Sequence, residues 1–178
     1  MQKRSILLSF ITIILLNSCS LKKDNAALPA PPASVKAVLD GVKGSKYITE
    51  KAGTNSPFKD DKTIQWLEPK KENEFEKKIV DEAKTLQLNF TNNTAVIVSA
   101  KDKTYNGTYR ADDIQKEDEE PGIKLRISYI DEEFKFGDGP ATEVTYTYFV
   151  EGIDDKGLLL LTPRSMNNRK IVVLMKKQ

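Results

Sequence analysis

The chain of 178 residues contains no histidine and only one cysteine, Cys19. Without imidazole there is no Ser-His or Cys-His nucleophile, no histidine proton shuttle and no histidine metal ligand. A lone cysteine excludes a disulfide within the chain. No apolar run is long enough to cross a bilayer: the longest, Ile6 to Leu16, is interrupted by Ser9 and Thr12 and falls well short of the required 20 or so residues. An excess of one charge is also missing. The formal net charge is +2, and setting aside Lys3 and Arg4 at the basic start leaves 26 basic against 26 acidic residues. Such a chain has no long-range attraction for nucleic acid.

The motifs of common chemistries are absent too: G-x-S-x-G, the P-loop G-x-x-x-x-G-K-[ST], G-x-G-x-x-G and H-E-x-x-H. Ser20 to Lys23 fits S-x-x-K, but it lies in a terminal segment where no pocket forms. The acidic stretch Asp112 to Glu120 and the pair Asp154-Asp155 lack the D-x-D-x-D-G spacing of a calcium loop. Paired-carboxylate glycoside chemistry stays open by residue type, yet nothing singles out a pair. The expectation is a protein that is not an enzyme, with no catalytic residues, no metal and no cofactor.

What is present begins with an address. Met1 to Arg4 is basic, the apolar run follows, and small residues close it, which is the pattern of a secretory signal peptide. Leu16-Asn17-Ser18-Cys19 resembles the lipobox of bacterial lipoproteins. The resemblance implies cleavage before Cys19 and acyl chains, palmitate among them, attached to Cys19. Two or more such chains hold a protein stably on a membrane. Ser20 stands where inner-membrane lipoproteins of enteric bacteria carry Asp, so the resemblance implies a lipid-anchored outer-membrane protein. Asp24 to Ser34 is rich in Ala and Pro and reads as a semi-rigid extended tether. The expected organisation is therefore a signal peptide over 1–18, a lipidated tether over 19–34 and one domain over 35–178.

That domain is mainly β. Val35 to Val42 suggests a short helical turn, Lys46 to Lys51 a first strand and Thr63 to Leu67 a short extended piece. Phe75, Ile79 and Ala83 recur every fourth residue and predict an amphipathic helix over Asn73 to Ala83, inserted after the first strand. From Leu86 onward, apolar residues alternate with polar ones. Leu86-Leu88-Phe90, Ala95 to Ala100, Tyr105 to Tyr109, Ile123 to Tyr129, Val144 to Val150, Leu158 to Leu161 and Ile171 to Met175 read as strands joined by turns such as Asn92-Asn93 and Asp154 to Gly157. Together with the strand near Tyr47 this makes about eight antiparallel strands. A meander of that size closes best as an up-and-down barrel, because closure removes exposed edges.

The runs Leu86-x-Leu88-x-Phe90, Asn106-Gly107-Thr108-Tyr109, Ile123-Lys124-Leu125 and Leu158-Leu159-Leu160 resemble the lipocalin-like domains of bacterial envelope lipoproteins; Gly44-Ser45-Lys46-Tyr47 stands near the place of the lipocalin G-x-W. Five tyrosines, Tyr105, Tyr109, Tyr129, Tyr146 and Tyr148, share the presumed inward phase. They are candidate ligand-binding residues for a small amphipathic molecule, and equally good candidates for plugs with hydroxyls at the barrel rims. Val96 to Val98, Leu158 to Leu161 and Ile171 to Met175 are apolar on both faces and need an outer cover. The helix stripe supplies it in one reading, and a partner chain in the other. Two functions follow as expectations: a non-enzymatic binding module with a small amphipathic ligand in its barrel, or a protein-binding subunit of an outer-membrane complex or an envelope inhibitor. Trp66 is expected to be a core plug.

Overall fold

Alternating patterns become strands, and the order in which those strands pair decides where any site lies. The computed structural model describes residues 27–55, 63–66, 81–114, 121–135, 137, 139–166 and 169–178. Among them run one helix, α1 (Val35–Val42), and nine strands: β1 (Lys46–Asn55), β2 (Ile64–Trp66), β3 (Gln87–Phe90), β4 (Ala95–Ala100), β5 (Lys103–Ile114), β6 (Gly122–Lys135), β7 (Ala141–Ile153), β8 (Gly157–Met166) and β9 (Arg169–Lys177). A short helical piece at 81–84 precedes β3.

From β3 to β9 every strand pairs antiparallel with the next in sequence. β1 pairs with β3 through Lys46 to Ile48 and with β9 through Tyr47 to Thr54, which closes the ring. The molecule is thus a closed eight-stranded antiparallel up-and-down barrel, as the alternation predicts. β2 is an extra strand on the far half of β1, at Gly53 to Asn55. The strands run longer than the sequence pattern suggests. β5 and β6 continue into the expected acidic loop, and β6 and β7 form a hairpin that carries on past Asp131.

One end of the barrel is plugged by α1. The Ser34 hydroxyl caps the helix by accepting from the Ala37 amide at 3.1 Å, and Gly44, with φ of 65°, ends it in the left-handed region that glycine tolerates best. Val38 and Val42 are fully buried in the same core as Tyr47, Phe90, Leu125, Val150, Leu158 and Met175. The Tyr47 hydroxyl donates to the Gly41 carbonyl at 3.0 Å, tying helix to strand. Tyr47, Phe90 and Tyr109 form an edge-to-face run, with centroids 6.1 and 4.8 Å apart, a favoured geometry for aromatic pairs.

The segment ahead of α1 is packed, too. Pro29 is buried, and the Ile153 amide donates to the Ala30 carbonyl at 2.8 Å. Glycine at 152 makes this possible, since a Cβ there would stand 2.3 Å from the Pro29 carbonyl oxygen.

The outer apolar face is covered differently from the expectation. Leu159, Val172 and Leu174 form a second cluster outside the barrel, and Ile64, Trp66 and Leu161 pack on it. Trp66 is therefore part of an outer cover and not a plug of the barrel. Gly53 lies between Trp66 and Val172 in register; a Cβ there would come within 2.2 Å of the Gln65 carbonyl oxygen, so glycine is what lets β2 fold this close. Of the predicted helix, Phe75 and Ile79 lie outside the described residues. Ala83 belongs to the inner core, so this part of the predicted stripe does not cover the outer face.

Candidate functional site

Strand phase and register place the candidate tyrosines. In β5 to β7, Gly107 faces Tyr129, Tyr109 faces Ile127, Ile127 faces Tyr146 and Leu125 faces Tyr148. Ile127 and Leu125 are buried in the main core, so all five tyrosines share the inward phase of their strands. Their heights differ. Tyr109 lies in the half closed by α1, 4 % exposed, with its hydroxyl donating to the Asn92 carbonyl at 2.7 Å. It is a structural plug, apart from the others.

The remaining four gather at the opposite end. Tyr105 and Tyr129 stack with centroids 4.5 Å apart and planes 23° from parallel. Tyr129 and Tyr146 stack at 5.5 Å and 9°. Tyr129 is thus sandwiched, and Tyr146 ends the stack. Accessibility climbs in the same direction: Leu125 and Ile127 are sealed, Tyr105, Tyr129 and Tyr148 are partly buried, and Tyr146 is 42 % exposed. An inward-phase residue with that exposure marks an open mouth.

The electrostatics of the mouth favour the neutral form of the Tyr105, Tyr129 and Tyr148 hydroxyls. Burial, then the Tyr146 hydroxyl beside it, pushes the Tyr129 hydroxyl well above the usual tyrosine range. Burial does the same to Tyr148. Tyr105 is raised by burial and then by the negative charge of Asp131. Neutral hydroxyls both donate and accept, and their rings offer apolar faces, so the lining suits an amphipathic molecule.

Two residues of this end were not singled out by the sequence pattern. Asp131 follows Tyr129 by two and keeps its phase, and its carboxylate lies within electrostatic reach of the Tyr105 hydroxyl. Its carboxylate accepts from the Glu133 amide at 3.0 Å. Thr54 follows the core residue Ala52 by two on β1, faces Ile171 in register and is 2 % exposed, yet its hydroxyl has no hydrogen-bond partner among the described residues. An orphaned buried hydroxyl carries a desolvation cost of roughly 1–3 kcal/mol. Periodicity would have found Asp131 had the strand been extended past Tyr129; nothing in the sequence marks Thr54.

Other clusters explain themselves structurally. Asp154 accepts from the amides of Lys156 and Gly157 at 2.8 and 2.9 Å, forming the β7–β8 turn. Asp112 pairs with Arg126 at 3.1 Å and Arg110 at 3.4 Å across β5 and β6. Among the described residues no group of acidic, cysteine or histidine side chains is arranged to hold a metal ion. Cys19 lies outside the described residues. A scan against protein-family models, a search of curated proteins and a search of solved structures each return no match.

Proposed function

We propose that this protein is a non-enzymatic binding module, lipid-anchored in the outer membrane through acyl chains on Cys19, that takes a small amphipathic ligand at the open end of its barrel. The observation that carries the reading is the asymmetry of the inward face. The α1 half is sealed by fully buried side chains. The other half is lined by Tyr105, Tyr129, Tyr146 and Tyr148, which stay partly accessible. Tyr146 in particular stands 42 % exposed on an inward-phase position, which a role in core packing alone does not require.

The anchor fits this arrangement. Pro29 packs against Gly152 and Gly157 at the plugged end. Ten residues from Cys19 to Pro29 span at most about 36 Å. Under this reading the plugged end is the one joined to the anchor, and the tyrosine mouth lies at the other end of the barrel.

Two experiments test the reading. Incorporation of labelled palmitate is expected for the native chain and lost in Cys19→Ser; equal labelling would refute the anchor. Native mass spectrometry of protein gently extracted from its own envelope should show a small-mass adduct beyond the acyl chains. A bare monomer that also fails to bind added amphiphiles would refute the barrel site. A second reading, a protein-binding subunit, draws on Ile130 and Phe134, which stand 59 % and 50 % exposed on the β6–β7 hairpin. Under that reading the same spectrum shows a larger assembly, and Ile130→Ser dissolves it.

A further inference from the structure

We propose that the mouth selects amphipathic molecules with a positively charged, ammonium-type head. This rests on the ligand-binding reading of the barrel and adds the chemistry of its ligand.

Three observations converge. The first is the stack itself. Tyr105, Tyr129 and Tyr146 present near-parallel rings on adjacent strands, and Tyr146 leaves the stack 42 % exposed. A tyrosine face carries negative quadrupole potential and attracts ammonium groups; quaternary ammonium is the ligand such faces recognise best.

The second is the sign of the charge beside it. Asp131 shares the inward phase with Tyr129 and lies within electrostatic reach of Tyr105. Among the described residues no basic side chain forms an ion pair with it. Lys103 lies on the same face as Tyr105, two residues away, but its amine pairs with Glu133. Lys103 also lies within electrostatic reach of Asp131, so Asp131, Glu133 and Lys103 together leave one net negative charge beside the aromatic faces. A cationic head gains from both, while an anionic head is opposed by both.

The third is the buried Thr54 hydroxyl, 2 % exposed on the inward face of β1 and without a hydrogen-bond partner among the described residues. A finished apolar core avoids such a group. β1 leaves the α1 plug at Lys46, so Thr54 lies toward the opposite end of its strand, where its hydroxyl can meet a polar atom that enters the barrel. The ligand is thus charged at its head, with an apolar remainder that lies against the tyrosine rings at the mouth.

The test uses three probes that share a decyl tail: decyltrimethylammonium, decyl maltoside and decyl sulfate, each titrated below its micelle-forming concentration into the full-length protein. Tyrosine and tryptophan emission reports binding, and circular dichroism confirms that the fold is kept. The trimethylammonium probe is expected to bind about tenfold more tightly than the sulfate, the scale of one cation–π contact with one partly screened charge pair. Asp131→Asn should abolish most of that preference and leave the maltoside unchanged. Tyr146→Ala should weaken the ammonium probe, and Tyr146→Phe, which keeps the ring face, should restore it. If the three heads bind equally, or the sulfate binds best, the charge selection is overturned while the barrel site stands. If none binds to folded protein, the barrel site falls with it.

Discussion

Replacing Gly107 by alanine provides a sign test of the geometry beneath the tyrosine stack. In most strands that exchange is mildly stabilising, by about 0.4–1 kcal/mol, because alanine restricts the unfolded chain. Here a Cβ would stand 2.5 Å from the Ser128 carbonyl oxygen and 3.2 Å from the Tyr129 Cβ. The nearer atom is backbone and cannot swing aside, so β5 must move away from β6 where Gly107 faces Tyr129. Overpacking of this kind costs about 1–3 kcal/mol, and after the backbone gain a net loss of roughly 1–2 kcal/mol remains. With a urea slope of about 1–3 kcal/mol/M, the unfolding midpoint should fall by roughly 0.5–1.5 M. Circular dichroism at increasing urea measures it. The same displacement separates Tyr105 from Tyr129, so amphiphile affinity should fall in protein that is still folded. A midpoint equal to or above the native one would refute the close β5–β6 approach and the tight stack built on it.

Other outcomes follow from the same structure. Val42→Ala removes two buried carbons from the α1 plug and should cost about 2–3 kcal/mol by urea denaturation, whereas breaking the exposed Lys36–Asp40 pair with Lys36→Ala should change stability by less than about 1 kcal/mol. Trp66→Ala uncovers the outer cluster of Leu159, Val172 and Leu174, and binding of a hydrophobic dye should rise without loss of the barrel's circular dichroism signal. Stability should also fall in alkali. Tyr129 and Tyr148 are raised above 10.0 in the folded chain, so the native state keeps protons that the unfolded state releases. Their contribution is complete below pH 10 or so and is lost as the pH climbs beyond it. Tyr129→Phe and Tyr148→Phe should each flatten that decline, read as the urea midpoint against pH.

The barrel was legible because one buried face forces a period of two, and short turns force neighbours in sequence to pair. The pattern fails where neither face is buried. Asp131 to Lys135 is paired strand with mostly exposed side chains, so composition alone reads it as loop, and Asp131 goes unnoticed beside Tyr129. β2 is three residues long, too short to show a period, so alternation alone points to the helix stripe as the outer cover. Pro29 gives no sign of docking either, because its packing depends on Gly152 and Gly157, more than a hundred residues away.

The separation of Tyr109 from the other four tyrosines has a more general cause. Phase tells which face of a strand a residue occupies, and here it assigned all five tyrosines to the inside. It does not give height along the barrel. Tyr105 and Tyr109 share one face of β5, but four residues at about 3.3 Å each separate them by some 13 Å. One therefore stacks at the mouth on Tyr129, and the other packs edge-on against Phe90 beside the α1 plug. The register of β5 on β6 fixes that difference, together with the strand tilt that barrel closure imposes. Neither is encoded in any single stretch of chain. A candidate site read from alternation is thus a list of inward residues, and only the pairing divides that list into the plug and the mouth.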